Sequence, residues 1–286
     1  MSARGGQRAH APLEKIPGPS AFGGSARRFL SLLWLTSVTE FRLGFHGTVL
    51  GYVWSLARPL MLFGILLLVF TKVFRFGDQV PDYPSLLLLN IMLFSLFGDA
   101  TVAAVTSMVD RESLVRRAQL PRIVIPTAIV LTTFLTLMIN LIAVFIFILV
   151  NGVEPRLTWF FLPVIIGALL ALTLGVSYLL SAFYPRFRDV SLIWTVFSLA
   201  LFYGTPVLYP IGVAPDGLRA LIELNPLSLI FIQTNHWIID PNAPSVIEAT
   251  SGHWWILPIS ISLFVGICAL GLAAFAREAP KVAEEL

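Results

Sequence analysis

The sequence predicts an all-α integral membrane protein with six membrane-spanning helices. Hydrophobic residues make up 57% of its 286 residues and charged residues only 12%, about half of the roughly 25% that soluble domains carry. So few charges could not cover so much apolar surface, which excludes soluble, disordered and fibrous proteins. The single cysteine, Cys268, lies in an apolar run, which excludes an intrachain disulfide and a thiolate metal cluster.

The segment before the first span divides into two parts. Residues 1–26 are rich in Pro, Gly, Ser and Ala, so we expect a disordered cytoplasmic tail. Residues 27–56 are predicted to form a cytoplasmic interface helix, amphipathic and lying in the headgroup region. The side chains expected to face lipid are Phe29, Leu32, Leu33, Val38 and Phe41.

Six stretches are apolar enough, and long enough at roughly 20 residues, to cross a bilayer. Together they define a transmembrane domain at 57–276, followed by a cytoplasmic tail at 277–286. The fifth is the least regular, because Pro206 and Pro210 interrupt its second half. The six lie at about Pro59–Phe76, Pro84–Met108, Ile123–Val150, Trp159–Tyr184, Val190–Ile211 and Trp254–Ala276.

The connection from Gly212 to His253 is too long for a turn and is largely apolar. Asn225-Pro226 breaks it, and together with the prolines before it this break favours a pair of re-entrant half-helices at about 204–240, before the last span. Broken backbone at membrane depth is tolerated only inside protein or beside a wet cavity. The alternative is an ordinary amphipathic outer loop.

Basic residues set the orientation. Fifteen of the 19 lysines and arginines lie in the terminal segments and in the second and fourth connections, and four lie on the other side. Because lysine and arginine are enriched in cytoplasmic loops, both termini are predicted to be cytoplasmic.

Signatures of enzymes are missing from the sequence. There is no H-E-x-x-H motif and no Gly-Lys dipeptide, so a zinc protease site and a phosphate-binding loop are excluded. No His or Lys lies at mid-membrane, where an intramembrane serine protease would need one. We therefore predict no catalytic residue, no metal site and no cofactor in this chain. Asp99 is the one acid deep in a clear span; it is either a functional group or a structural carboxylate bonded to a neighbouring Ser, Thr or Asn140.

Five motifs occur in order along residues 27–276. They are Arg42–Pro59 at the first span, Leu114–Pro126 after the second, Tyr184–Val190 with its F-R-D, Thr205–Pro210 with T-P-V-L-Y-P, and Leu224–Leu227 with L-N-P-L. Jointly they resemble type-2 ABC exporter permeases, most closely the polysaccharide branch that exports O-antigen, galactan or teichoic acid. Thr205 stands where the family has Ser, and the tail before Arg27 is longer than typical.

The resemblance implies the membrane subunit of an ATP-driven exporter, not an enzyme, in the bacterial plasma (inner) membrane. Its cargo would be a lipid-linked polysaccharide, moved from the cytoplasm to the outer face. The implied partners are a second copy of the chain, two copies of a nucleotide-binding ABC ATPase that carries the ATP and Mg, and membrane lipids, with no nucleic acid. A drug or lipid exporter of the same architecture is the alternative, and a membrane enzyme or passive scaffold is the remaining class.

The resemblance also implies a coupling loop. Residues 110–122 are expected to form a short helix that docks in a cleft of the ATPase, with arginines facing carboxylates and an apolar anchor. Alternatively, these arginines serve only the positive-inside rule. The expected coupling residues are Arg111, Leu114, Val115, Arg116, Arg117, Leu120 and Arg122.

By the same resemblance, a tunnel forms at the dimer interface from the first and fifth spans. Sugar C–H faces stack well on aromatic rings, and we expect fewer than half of nine candidates to contact glycan. The nine are Tyr52, Trp54, Phe63, Phe70, Trp194, Phe197, Phe202, Tyr203 and Tyr209. Arg27, Arg28 and Arg42 are expected to hold the pyrophosphate of the lipid carrier, although attraction to anionic headgroups explains the same residues.

Overall fold

The computed structural model describes residues 26–45, 51–73, 75, 80–111 and 121–285, which contain ten α-helices and no strand. Short π-helical turns extend α2 over Val69–Val73 and α8 over Asn235–Ile239, and a 3₁₀ turn at Leu157–Phe161 precedes α5. The helices are α1 Ala26–Phe45, α2 Gly51–Leu68, α3 Tyr83–Asp110, α4 Val124–Val150, α5 Leu162–Phe183, α6 Val190–Gly204, α7 Asp216–Leu224, α8 Pro226–Thr234, α9 Val246–Thr250 and α10 Ile256–Glu285.

Within the described ranges, which are all-helical, five segments are long and apolar enough to cross a membrane, so the protein is multi-pass. They are Val53–Val73, Tyr83–Asp110, Val124–Val150, Leu157–Phe183 and Ile256–Glu278. The fifth predicted span corresponds to α6, which has only 15 residues. At about 1.5 Å per residue it is roughly 22 Å long, shorter than the roughly 30 Å hydrocarbon core. The prolines of the Thr205–Pro210 segment explain why it stops.

The first span begins earlier than the sequence analysis placed it. Helix α2 starts at Gly51 and runs through Pro59, whereas Arg58 and Pro59 had suggested the membrane boundary. Residues 51–56 therefore belong to the first spanning helix, while the interface helix α1 ends at Phe45. The reason is that Arg58 projects into a cleft between helices, described below, and so does not mark the edge of the bilayer.

Helix α3 forms the centre of the bundle and packs against α2, α4, α5 and α6. In its most apolar stretch 78% of the residues are buried, against 11% in the first span. Apart from Asn90, its sequence is apolar on every side from Leu86 to Phe94, which is typical of a helix surrounded by protein. The helix at the centre of the bundle is therefore nearly all apolar in this stretch, and Ser95 and Asp99 follow it in the sequence.

Two glycines allow α5 and α10 to pack closely. A Cβ atom at Gly271 would overlap the carbonyl oxygen of Gly175, and one at Gly175 would lie 2.9 Å from the Cα of Cys268. Small residues at such crossings let two backbones approach within a membrane, where van der Waals contact drives helix association.

Helix α1 lies along α4. The Ser37 hydroxyl is buried and donates to the Leu33 carbonyl at 2.8 Å, and the Thr132 hydroxyl donates to the Ser37 carbonyl at 3.2 Å. Phe29 packs on a small cluster that contains Met108 and Phe275.

The face of α1 that we predicted to meet lipid turns partly toward the protein. All five of its predicted residues, Phe29, Leu32, Leu33, Val38 and Phe41, are only half-exposed. The large exposed side chains are Leu30, Trp34, Leu35 and Leu43, so the prediction chose the wrong face. Apolar residues occur on both sides of this helix, and periodicity alone cannot say which side packs on α4.

Two polar side chains of α3 hold the segment after α6. The Tyr83 hydroxyl donates to the Leu208 carbonyl at 2.8 Å, and the Asn90 amide donates to the Pro206 and Val207 carbonyls at 3.3 Å each. Asn225-Pro226 separates α7 from α8, and the Asn225 side chain caps α8 by accepting from the Leu227 N–H at 3.0 Å.

Candidate functional site

A large cleft lies on one side of α3. It has a volume of about 1320 Å³ and is lined by α2, α3, α4 and α6, with the end of α1 at its margin. Pockets for small ligands are typically about 300–1,000 Å³, so this cleft has room for more than one small ligand. Each of the four helices contributes side chains that recur every three or four residues, which places them on one face of that helix.

Polar side chains from all four helices line this cleft. They are Ser55 and Arg58 of α2, Ser95 and Asp99 of α3, Thr133, Thr136 and Asn140 of α4, and Thr195 and Ser198 of α6. Helices α4 and α6 begin, and α3 ends, at the side of the bundle with the basic connections. From the helix rise, Asp99 and Thr133 lie about 15 Å from that side and Asn140 about 24 Å.

The same cleft has apolar and aromatic lining. Phe94 and Phe202 meet edge to face with ring centroids 5.0 Å apart, and Phe202 and Tyr203 meet at 5.3 Å. Leu62 and Ile91 also line the cleft. The cleft thus offers both hydrogen-bonding groups and ring faces.

Three of the nine aromatic candidates line the cleft: Trp54, Phe202 and Tyr203. Trp54 and Tyr203 are exposed, whereas Phe202 is almost buried. Their spacing along α2 and α6 positions them on the cleft face, and these were the helices that the resemblance singled out.

The remaining candidates lie elsewhere. Phe63 is buried against Phe147 at 5.4 Å, and Phe70, which is half-buried, packs on Tyr83, so neither lines the cleft. The Trp194 indole donates to the Thr101 hydroxyl at 3.0 Å, and the Tyr209 hydroxyl donates to the Tyr203 carbonyl at 3.4 Å. Phe197 is exposed outside the cleft, and the side chain of Tyr52 lies outside the described part of the chain.

One of the two alternatives for Asp99 was a structural carboxylate bonded to a neighbouring Ser, Thr or Asn140, and the described residues do not form such a bond. Asp99 is exposed to the cleft, and it has no hydrogen bond or ion pair with any residue that the structure describes. The exposed guanidinium of Arg58 lies near enough to act on it electrostatically. An intramembrane carboxylate that packing does not satisfy is a functional candidate by default.

The polar face of α4 was missed by the sequence analysis. Thr133, Thr136 and Asn140 follow the i, i+3, i+7 spacing of one helix face in a span whose other polar residues are Thr127 and Thr132, and this spacing was the available signal. Asn140 is only 5% exposed, and its Oδ1 is buried without a hydrogen-bond partner among the described residues. Buried amide oxygens are normally bonded, so this one is an exception to explain.

The basic end of the bundle contains an ion pair between helices. Nη2 of Arg111, just after α3, donates to Oε2 of Glu40 in α1 at 2.7 Å, and Nη1 lies 2.6 Å from Oε1 without the geometry of a hydrogen bond. Both side chains are about three-quarters buried. Arg111 is thus engaged within its own chain, whereas we had expected it to face the ATPase.

The other basic and coupling candidates are only partly described. Arg27 and Arg42 are exposed on α1, and Arg122 is half-exposed just before α4. The side chain of Arg28 and the residues Leu114, Val115, Arg116, Arg117 and Leu120 lie outside the described part of the chain. Among described residues, no group of three or more His, Cys, Asp or Glu side chains could hold a metal ion.

Comparison with known proteins agrees with this architecture. Residues 31–234 match the model of the ABC-2 type transporter family. The chain is 27% identical over 202 residues to the O-antigen export system permease protein RfbA of Klebsiella pneumoniae, covering 70% of this chain and 77% of that protein. It is 27% identical over 190 residues to the protein of the same name from Myxococcus xanthus, covering 66% of this chain and 72% of that one.

Proposed function

Because the chain belongs to the ABC-2 type transporter family, we propose that it is the membrane subunit of an ATP-driven exporter of an O-antigen-type polysaccharide in the bacterial inner membrane. The observation that carries the proposal is the match to O-antigen export permeases over 70% of the chain. The cleft supports it, because sugar hydroxyls need hydrogen-bonding partners at membrane depth and sugar C–H faces pack on aromatic rings.

In this proposal two copies of the chain enclose the path, with α2 and α6 of each copy facing the other. Both helices carry long rows of exposed apolar side chains, including Met61 and Ile65 on α2 and Ile193 and Val196 on α6. The cleft opens between these two helices, so a second copy placed there would turn an open cleft into a closed passage. Trp54, Phe202 and Tyr203 would line it from each copy.

We also propose that α6 and the segment to Val213 together form a sixth span, and that α7 and α8 form the re-entrant pair. Side-chain donors support this arrangement, since carbonyls outside helices must be satisfied by protein at membrane depth. Tyr83 and Asn90 serve the Pro206–Leu208 carbonyls, and Trp159 donates to the Ile238 carbonyl at 3.0 Å. The excess of basic residues at the opposite end supports cytoplasmic termini.

Energy would come from a separate ABC ATPase, two copies of which bind ATP and Mg and dock on the loop at 110–122. The Glu40–Arg111 pair supports a mechanical role for this loop, because it joins the start of the loop to helix α1. Movement of the loop would then displace α1 as well as the end of α3. Exposed Arg27 and Arg42, with Arg28, would meet the pyrophosphate of the lipid carrier at the same end.

Deletion of the chain tests the proposal. We expect surface polysaccharide to disappear and its lipid-linked precursor to accumulate inside, with both effects reversed by the wild-type chain. Co-purification should yield a four-chain complex with an ABC ATPase, and the purified permease alone should show no ATP hydrolysis. Unchanged surface glycan with altered sensitivity to drugs would instead favour a drug or lipid exporter.

A further inference from the structure

Asp99 and the hydroxyls of Thr133 and Thr136 give the polar lining of the cleft several hydrogen-bond acceptors, and Asn140 adds a side-chain amide. A carboxylate only accepts hydrogen bonds, and an amide oxygen only accepts. The hydroxyls of Thr133 and Thr136 donate to their own helix at the Ile129 and Thr132 carbonyls, so their oxygens are left as acceptors toward the cleft. The natural complement of such a surface is a molecule with several hydroxyl donors.

We propose that this polar lining is a sugar-binding subsite in which the Asp99 carboxylate and the Asn140 amide hold hydroxyls of the passing glycan. This rests on the proposed function and extends it, since the resemblance placed the path on the aromatics of α2 and α6, whereas these two residues are on α3 and α4. Asn140 and Asp99 differ by about 8 Å in depth, so they would contact different hydroxyls of one chain.

The unsatisfied groups indicate that something polar completes the site. Asn140 is 5% exposed with an unpartnered Oδ1, and Asp99 faces the cleft without a hydrogen bond in the part of the chain that the structure describes. A half-turn of the Asn140 amide exchanges its oxygen and nitrogen and would aim the oxygen at the cleft. Either orientation presents a hydrogen-bonding atom toward a sugar.

Other occupants fit the chemistry less well. A lipid acyl chain would leave Asp99 uncompensated, which is costly at membrane depth. A metal ion needs more ligands than the single carboxylate here provides, and no cluster of potential ligands occurs in the described residues. Arg58, exposed in the same cleft, adds a donor for sugar oxygens. A sugar uses all of these groups together.

Thiol protection tests the subsite directly. Ser95 lies one turn from Asp99 on the same cleft, and the protein has a single native cysteine, Cys268. In a Cys268→Ala background, Ser95→Cys would be labelled with a small maleimide in the complex with its ATPase. The probe is the lipid-linked glycan extracted from cells depleted of this chain. We expect the glycan to slow labelling at Ser95→Cys but not at Ser31→Cys, which is exposed on α1.

Substitution of the two acceptors supplies the second arm. Asp99→Asn and Asn140→Leu should each raise the glycan concentration for half-maximal protection by about tenfold, as expected for hydrogen bonds to a charged or fully buried group. Asp82→Asn makes the same chemical change at the other end of α3, where φ is 51° and Asn is tolerated, and should leave that concentration unchanged.

The outcomes separate the two proposals. Glycan export by the wild type without protection of Ser95→Cys, or with protection that neither substitution alters, would overturn the subsite and leave the exporter in place. Ser95→Cys that stays unlabelled even without glycan would show that the second copy covers the polar lining of the cleft, which also overturns the subsite. Failure of the wild type to move or bind the glycan would overturn the proposed function itself.

Discussion

At the scale of single residues, the structure gives polar side chains two different tasks. Some satisfy backbone groups that a membrane cannot, as the Tyr83 hydroxyl does for the Leu208 carbonyl at 2.8 Å. Others, such as Asp99, have no hydrogen-bond partner among the described residues and face a cleft. Residues of the first kind should control stability, and residues of the second kind should control the handling of cargo.

Tyr83→Phe should therefore lower stability without altering the cleft. It leaves the buried Leu208 carbonyl without its donor, a loss of about 1–2 kcal/mol. We expect a fall of several degrees in the midpoint of thermal unfolding in detergent. Tyr203→Phe is the matched control, because Tyr203 is exposed, and it should leave the midpoint within error. An equal shift in both variants would contradict the assigned hydrogen bond.

The Glu40–Arg111 pair belongs to the same scale and concerns coupling. Glu40→Ala should reduce glycan-stimulated ATPase activity and export by about five- to tenfold, a coupling free energy of about 1–1.5 kcal/mol. The charge exchange Glu40→Arg with Arg111→Glu should recover part of the loss, since the pair is restored in reverse. Glu154→Gln, in the exposed connection between α4 and α5, serves as the control. Normal export by Glu40→Ala at normal abundance would show that the pair does not transmit movement.

At the scale of elements, helix α10 packs closely against α5 because the glycines at their contact carry no side chain. Its contact with Gly175 leaves no room at Gly271, whereas a Cβ at Gly266, less than two turns earlier on the same helix, meets nothing within 4 Å. The two glycines therefore form an internal comparison within one helix. Only one of them is predicted to matter for packing.

Gly271→Ala should destabilise the protein by about 1–3 kcal/mol, the usual cost of overpacking a contact that cannot relax. Thermal unfolding in detergent and the yield of monodisperse protein would measure the effect. Gly266→Ala should match the wild type or exceed it slightly, because alanine favours a helix over glycine. Equal tolerance of alanine at both positions would mean that α5 and α10 are not in close contact.

At the scale of the whole molecule, hydropathy accounts for most of what the sequence could predict. Runs such as Ile123–Val150 are long and apolar, so their existence and limits followed from bilayer thickness alone. The face of α1 that packs on α4 and the pairing of Arg111 with Glu40 could not be predicted in this way. Both depend on which neighbouring helix packs beside them. The aromatic residues of α2 and α6 illustrate the same limit. The sequence identified both helices as cleft-lining, but it did not show that Phe63 is buried within the protein and does not line the cleft.

Orientation is the main prediction at this scale. In a Cys268→Ala background, Val80→Cys and Ser245→Cys should react from outside with an impermeant thiol reagent, and Arg117→Cys should react only after the membrane is opened. The reason is the concentration of basic residues around position 117. Reversed labelling would contradict both the orientation and the proposed direction of export.

The short helix α6 has a consequence for the surrounding lipid. The residues that continue the proposed span, 205–208, are buried in the protein, so lipid would meet mainly α6 itself, which with 15 residues is about 8 Å shorter than a typical hydrocarbon core. Thinning of the bilayer around α6 would relieve this mismatch. A thinner bilayer narrows the low-dielectric barrier beside the cleft. A hydroxylated chain passing there would therefore cross a thinner hydrocarbon layer than elsewhere around the protein. The export path and the local deformation of the membrane would then be two aspects of one helix that ends early.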